Sequence, residues 1–169
     1  MTLTEIANKY MTDKGTTCSE AHGYTNIYSD YIPSKGKHRL LEIGILYGCS
    51  IRTWNEYNPE LEIYGVDISN DVFNHLQESE NIHICIGNQS DKIFLESLPY
   101  DLDFVIDDGS HNYNDIMTSF SVLYNHLSKN GIYFIEDLHA PYSERENIIK
   151  NIGVPFELWN NKLMIIRKV

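Results

Sequence analysis

The stretch that decides the fold is Leu102-Asp103-Phe104-Val105-Ile106-Asp107-Asp108-Gly109-Ser110-His111. Its first five residues are typical of a buried strand, and this strand ends abruptly in two carboxylates and a glycine. A second apolar run, Gly131–Ile135, ends in Glu136-Asp137 one predicted helix later. Because the carboxyl ends of neighbouring parallel strands share one edge of an open α/β sheet, the acidic pairs should meet there and line a ligand crevice.

Clustered carboxylates at a sheet edge predict a metal site, because hard divalent cations prefer oxygen ligands. His111 lies three residues past Asp108, so its ring can reach a substrate held on that metal. Neighbouring side chains point to opposite faces of an ideal strand. Glu136 and Asp137 can therefore both reach one ion only if the chain leaves strand geometry there. Asp107 is explained equally well as a strand-end carboxylate that caps backbone amides.

Strand-like and helix-like segments alternate along the rest of the chain. Further strands are predicted over residues 39–45, 61–66 and 82–86, and helices over residues 5–10, 24–31, 50–58, 71–79, 91–98, 113–127 and 143–151. Two apolar runs flank Asn160-Asn161, a pair typical of a two-residue hairpin turn. This order predicts an α/β fold with a doubly wound Rossmann-like sheet, mostly parallel with an antiparallel C-terminal hairpin strand.

Length and composition narrow the class of protein. The 169 residues are expected to form one domain, with a helical segment over 1–33 and a Rossmann-like core over 38–169. The net charge of −11 and the lack of a basic stripe argue against nucleic-acid binding. No signal peptide or membrane span is apparent, and three scattered cysteines without metal-ligand spacing suggest a reducing compartment. We therefore expect a soluble cytoplasmic protein.

The segment Leu40–Ser50 has the pattern of a strand, a glycine turn and a helix start. Gly44 and Gly48 allow a ligand to approach the backbone closely. Leu46 stands where a dinucleotide-binding fingerprint needs its second glycine, so a diphosphate fits poorly. The carboxylate of Glu42 would repel phosphate and suit an ammonium group.

The next two strands also end in polar residues. Asp67 ends the second strand, at the usual position for a carboxylate that accepts ribose hydroxyls. Asn88 and Gln89 follow the third strand, where their amides could read an adenine edge. The alternative is a Rossmann-like domain with ordinary turn glycines and no nucleotide.

Together these motifs resemble a known family. The pattern Glu42-x-Gly44-x-x-x-Gly48 with Asp67 resembles class I methyltransferases that use S-adenosylmethionine. Asp108-Gly109-Ser110-His111 with Glu136-Asp137 resembles, more narrowly, the magnesium-dependent sugar O-methyltransferases of macrolide maturation, the macrocin and mycinamicin type. Asp13-Lys14-Gly15 and His22-Gly23-Tyr24 resemble their N-terminal cofactor-covering stretch. The chain is shorter than some members of that family, which carry an extra domain.

The resemblance implies a role for each motif. The metal, Mg²⁺ or Mn²⁺, would be bound by Asp108, Glu136 and Asp137, and His111 would be the general base that takes the proton of the acceptor hydroxyl. Residues expected to bind the cofactor are Glu42, Gly44, Gly48, Asp67, Asn88, Gln89, Lys14 and Tyr24. Lys14 would meet the cofactor carboxylate, with a solvated lysine as the alternative. His139 is expected to be a loop residue or to contact substrate.

The function expected from these motifs is methyl transfer to a sugar hydroxyl of a glycan, a glycoside or a nucleotide sugar. A catechol-like phenol is an alternative acceptor. An NAD-dependent oxidoreductase is disfavoured by the missing middle glycine, and a non-catalytic binding module by carboxylates that are costly to keep without a role. The 12 tyrosines and the short chain also suggest a homo-oligomer, in which a neighbour covers the acceptor side.

Overall fold

The fold is built on one seven-stranded sheet with the order β3-β2-β1-β4-β5-β7-β6. The computed structural model describes residues 1–138 and 143–169, so His139 lies outside the described residues. The strands are β1 (His38–Ile43), β2 (Leu61–Asp67), β3 (Ile82–Ile86), β4 (Leu102–Asp107), β5 (Leu127–Ile135), β6 (Glu157–Trp159) and β7 (Leu163–Arg167). Strands β1 to β5 pair in parallel, whereas β7 pairs antiparallel with both β5 and β6. The predicted doubly wound sheet with an antiparallel hairpin is confirmed.

Within the described ranges, six α-helices cover the two faces of the sheet: α1 (Leu3–Tyr10), α2 (Thr25–Tyr31), α3 (Cys49–Tyr57), α4 (Lys92–Glu96), α5 (Tyr113–His126) and α6 (Ser143–Asn151). Residues of α1, α2 and α3 pack on one face, together with Phe104 and Ile106 of β4. Residues of α4, α5 and α6 pack on the other face, where Val105 contributes. This alternation within one strand reflects the two-residue period of a pleated chain. None of the helices in the described ranges is long and apolar enough to span a membrane.

Local chemistry explains where most elements begin and end. Thr2 and Glu5 form a capping box at the start of α1, and the side chain of Asp91 caps α4. Asn160 and Asn161 both have positive φ, 49° and 56°, as a type I′ hairpin turn requires. The hairpin predicted from this pair is confirmed.

The helix predicted over residues 71–79 is wrong. The structure has only a short 3₁₀ turn there, Asn70–Asn74, in which the Ser69 side chain accepts a hydrogen bond from the backbone of Asp71. Serine and asparagine in this segment offer the backbone local partners other than a helical turn, which lowers helix propensity. Strand β5 also begins earlier than predicted, at Leu127, because its first residue pairs with Leu102 ahead of an irregularity in the register.

Candidate active site at the carboxyl edge of the sheet

A cavity of about 710 Å³ opens at the carboxyl ends of the parallel strands. Its walls come from the segment Met11–Glu20, the β1–α3 turn and the loops that follow β2, β3, β4 and β5. It brings together most residues that the sequence predicted for the site: Lys14, Gly44, Asp67, Asn88, Gln89, Asp108, His111 and Asp137. Four other predicted residues are not among those that line it: Tyr24, Glu42, Gly48 and Glu136. This placement matches the expected crevice, with a second layer of predicted residues behind it.

Gly44 lies where two turns of the site touch. Its φ is +84°, and a Cβ added there would lie 2.0 Å from the carbonyl oxygen of Asp108. Its backbone N–H donates to the carbonyl of Val66 at 2.8 Å, which joins the turn to β2. A glycine is therefore required at this position by backbone conformation and by the neighbouring chain alike.

Asp67 is held by backbone donors at the cavity wall. Its Oδ2 accepts from the N–H of Leu46 at 2.9 Å, and its Oδ1 accepts from the N–H of Ser69 at 2.9 Å. These two bonds fix the carboxylate beside the β1–α3 turn. In this position it can present its remaining lone pairs to a ligand hydroxyl.

Gln89 has different partners from those expected of an adenine-reading amide. Its Nε2 donates to Asp107 at 3.2 Å, and its Oε1 accepts from the N–H of Ser110 at 2.6 Å. Asn88 next to it accepts from the N–H of Ser90 with its Oδ1. The Gln89 amide therefore holds the β4–α5 turn in place, and both ends of its amide are engaged with the protein.

Asp107 is buried behind the site, and its partners are side chains rather than backbone amides. It accepts hydrogen bonds from Ser119, Tyr133 and Gln89. Burial raises the pKa of its carboxyl, and these three donors oppose that rise. Asp107 thus ties β4 to α5 and β5 and leaves Asp108 to face the cavity. Sequence reasoning did not identify Ser119 or Tyr133, because nothing in their local pattern separates them from ordinary core residues.

The carboxylates Glu42, Asp108, Glu136 and Asp137 form an acidic cluster, and the first three of them lie around Lys14. The Lys14 side chain is only 2% exposed, so it is not the solvated lysine considered above. Its Nζ donates to Asp108 Oδ2 and to Glu136 Oε2, the latter at 3.0 Å, and lies 3.4 Å from Glu42 Oε1. The ammonium therefore points into the acidic cluster.

Two buried tyrosines of the N-terminal segment bind the end of β5. The Tyr28 hydroxyl donates to Glu136 Oε1, and the Tyr24 hydroxyl donates to Asp137 Oδ1 at 2.7 Å. Tyr24 is fully buried, which differs from the expected contact with the cofactor. Asp137 has φ +56°, so the chain leaves strand geometry there, as is required for both acids to approach one site. A buried tyrosine hydroxyl usually finds a polar partner, and these two find the carboxylates at the end of β5.

Burial and mutual repulsion shift the pKa values of Asp108 and Glu136. Burial raises the pKa of Asp108 to about 7, although Lys14 opposes this shift. Burial and the neighbouring Asp108 charge raise the pKa of Glu136 well above its ordinary value. Burial alone would lower the pKa of Lys14, but Asp108, Glu136 and Glu42 together raise it well above its ordinary range. One ammonium thus faces two carboxylates, Asp108 and Glu136, whose charged forms are disfavoured.

His111 faces the acidic cluster from the start of α5. Its Nε2 lies 3.9 Å from Asp108 Oδ1 and 4.0 Å from Asp137 Oδ2, and its side chain is 38% exposed. One ligand atom from each of these three residues lies within 4.8 Å of the others. Oxygen donors at this spacing fit a hard divalent cation. The buried Oε1 of Glu42, which makes no hydrogen bond, is a further sign that the acidic cluster lacks positive charge.

The sheet order, the glycine turn and the acidic strand ends define the class of protein. The methyltransferase domain family matches residues 41–138, and the chain belongs to this family. The resemblance that the motifs suggested is thereby confirmed.

Two individual proteins are similar to the chain over most of its length. The chain is 34% identical over 153 residues to mycinamicin VI 2''-O-methyltransferase from Micromonospora griseorubida, a match that covers 83% of this chain and 37% of the relative. It is 34% identical over 154 residues to demethylmacrocin O-methyltransferase from Streptomyces fradiae, with the same two coverages. The chain therefore spans little more than a third of the length of these relatives.

Among solved structures, the chain is similar to MycE methyltransferase from the mycinamycin biosynthetic pathway, determined in complex with Mg, SAH and mycinamycin VI. The TM-score is 0.77 and the sequence identity 27%, over 99% of this chain and 55% of that one. The similarity covers both the N-terminal segment and the sheet.

Proposed function

We propose that this chain transfers a methyl group from S-adenosylmethionine to a sugar hydroxyl, with the help of a divalent cation. The observation that carries the proposal is the convergence of Asp108, Asp137 and His111 within 4.8 Å at the wall of a cavity that also contains the glycine turn. The similar proteins described above are sugar O-methyltransferases of antibiotic pathways, which supports the same function.

The cofactor end of the cavity is supplied by the first three strands. Gly44 and Asp67 both line the cavity there, and Asp67 would present a carboxylate for ribose hydroxyls. Asn88 lies at the same wall. When bound, the methyl donor supplies an electrophilic carbon, and the cation supplies positive charge that favours loss of the acceptor proton. The task of the protein is to align the acceptor oxygen with that carbon.

The catalytic end is supplied by β4 and β5. Asp108 and Asp137 would hold the metal through carboxylate oxygens, and Glu136 lies behind them in the acidic cluster. His111 is the residue we assign as general base, because its Nε2 faces both carboxylates from the cavity wall. There it can accept a proton from an acceptor hydroxyl, a role that contributes about 10²–10⁴-fold to turnover.

The cavity favours a small acceptor that does not carry strong negative charge. Its volume lies within the usual range of small-molecule sites, about 300–1,000 Å³. Its lining includes several carboxylates: Asp13, Glu20, Asp67, Asp108, Asp115 and Asp137. A glycoside with a neutral or cationic sugar meets these conditions better than a nucleotide sugar, whose diphosphate these carboxylates would repel.

A methyl-transfer assay with radiolabelled S-adenosylmethionine tests the function. The acceptor panel should contain neutral glycosides, amino-sugar glycosides, nucleotide sugars and catechol, each with Mg²⁺, with Mn²⁺ and with a chelator. We expect label on a glycoside only when metal is present. Transfer that is restricted to catechol would reassign the acceptor class, and full activity in chelator would contradict the metal role.

A further inference from the structure

Lys14 is an unusual residue for the interior of a cation site. Its side chain is 2% exposed, and the side chains of its partners Glu42 and Glu136 are 0% and 1% exposed. A buried ammonium is costly unless it is paired and hydrogen-bonded. Lys14 meets that condition by donating to Asp108 and Glu136. Its charge is thus part of the electrostatic balance of the acidic cluster.

The charge of Lys14 does not balance the cluster by itself. Three carboxylates, those of Glu42, Asp108 and Glu136, lie within 4.0 Å of one ammonium. Glu42 Oε1 is buried without a hydrogen bond at 3.4 Å from the Lys14 Nζ. The other oxygen of Glu42 accepts from the indole N–H of Trp54 at 2.6 Å. A polar chain therefore runs from the acidic cluster through Glu42 to α3, and Trp54 lies at its end.

Lys14 also uses oxygens that a metal would need. Asp108 and Glu136 are two of the three ligands implied by the family motif, and the ammonium binds one oxygen of each. The second oxygen of Asp108 faces His111. Two cations that share one carboxylate only a few ångströms apart repel each other strongly in a partly buried site. Lys14 and a divalent cation are therefore competitors for the same charge.

Lys14 belongs to the segment Met11–Glu20, which supplies one wall of the cavity. Seven residues of that segment line it: Met11, Thr12, Asp13, Lys14, Cys18, Ser19 and Glu20. The carbonyl of Lys14 accepts from the N–H of Thr25 at 3.0 Å, so the segment is joined to α2 as well. The ion pairs of Lys14 connect this wall to the ends of β4 and β5.

We propose that Lys14 is a positioning residue with two linked effects. It pairs with Asp108 and Glu136 in the metal-free protein and so competes with a divalent cation for them. While it is paired, it holds the segment Met11–Glu20 against the cavity. The competition between Lys14 and a divalent cation rests on the metal role in the proposed function. The attachment of the segment Met11–Glu20 by Lys14 does not depend on that function.

The test compares the full chain with its Lys14→Met variant, which keeps the length of the side chain and removes its charge. Mn²⁺ binding is measured at pH 8 by the electron paramagnetic resonance signal of the free ion. We expect the dissociation constant for Mn²⁺ to fall at least tenfold in the variant. The affinity for S-adenosylhomocysteine without metal should weaken at least threefold, because the segment Met11–Glu20 loses the ion pairs that hold it at the cavity. If the substitution merely disrupted the fold, the affinities for Mn²⁺ and for S-adenosylhomocysteine would both weaken.

Lys9→Met is the matched control. Lys9 forms an ion pair with Glu56 on the surface, and its side chain is 51% exposed. Its replacement should leave both affinities unchanged. Mn²⁺ binding to Lys14→Met that is no tighter than to the wild type overturns the proposal. An absence of Mn²⁺ binding to either protein refutes the metal role in the proposed function as well.

Hydrogen exchange of the wild-type chain keeps the proposal testable if Lys14→Met does not fold. Mg²⁺ added without cofactor should accelerate amide exchange in the segment Met11–Glu20, because the metal weakens its ion pairs. Trp54 fluorescence, measured with Trp159→Phe to silence the second tryptophan, should change on the same titration. Exchange that is unchanged or slower in Mg²⁺ contradicts the competition.

Discussion

Gly44→Ala should destabilise the protein much more than an ordinary glycine substitution. The added Cβ would lie 2.0 Å from the carbonyl oxygen of Asp108 and 2.7 Å from its carbonyl carbon. Ordinary contact begins at 3.4 Å, so the two turns would have to separate by about 1.4 Å. Overpacking of this kind costs about 1–3 kcal/mol, and the positive φ adds about 1–2 kcal/mol. Together they amount to about 2–5 kcal/mol, a large part of a typical stability.

Gly153→Ala separates these two contributions. Gly153 has a similar φ of +73°, but the nearest atom to its added Cβ is 3.8 Å away. This control should cost only about 1–2 kcal/mol, for the backbone conformation alone. Equilibrium unfolding in urea measures both free energies. If the two variants lost the same stability within about 0.5 kcal/mol, the contact between the two turns would not be what requires a glycine at residue 44.

Three further predictions concern the site. His111→Gln should lower turnover about 10²–10⁴-fold, because an amide cannot take a proton, while Mn²⁺ and cofactor binding persist. A near-normal kcat would show that His111 is a positioning residue rather than the base. Asp67→Ala should weaken calorimetric binding of S-adenosylhomocysteine by about 1–3 kcal/mol, and NAD binding as tight as that of S-adenosylhomocysteine would contradict the cofactor assignment. The free energy of unfolding of the metal-free protein, measured in urea, should fall between pH 5 and pH 8. The folded state raises the pKa of Asp108 to about 7 and that of Glu136 well above its ordinary value, so it is favoured while these groups are protonated and loses that advantage as they ionise. Stability that rises over this range would show that other groups dominate.

The architecture could be predicted from sequence because its signals are local. The apolar run of β4, the glycine turn after β1 and the Asn160-Asn161 pair each determine the conformation of a few neighbouring residues. The wrong helix prediction over residues 71–79 also came from relying on a local pattern. The alternation of strand-like and helix-like segments suggested a helix there. It took no account of the polar residues that bind their own backbone and favour a short turn.

The chemistry of the strand ends was also apparent from the sequence. Asp108, His111 and Asp137 could be grouped because parallel strands bring their carboxyl ends to one edge. The partners of these residues could not be predicted in the same way. Gln89 looked like a ligand-reading amide, yet it is bonded to Asp107 and to the Ser110 backbone. Which of several nearby acceptors an amide chooses depends on distances that no local pattern records.

By itself, the sequence determined the α/β class, the hairpin and the edge at which the acidic residues collect, since these follow from patterns over a few residues. Only the tertiary structure decided that Lys14 lies inside the acidic cluster, because its partners Asp108 and Glu136 are 94 and 122 residues away along the chain. It likewise decided that Gly44 is constrained by the backbone of Asp108. Contacts between distant segments depend on how whole strands and turns pack, and local sequence carries little information about that packing.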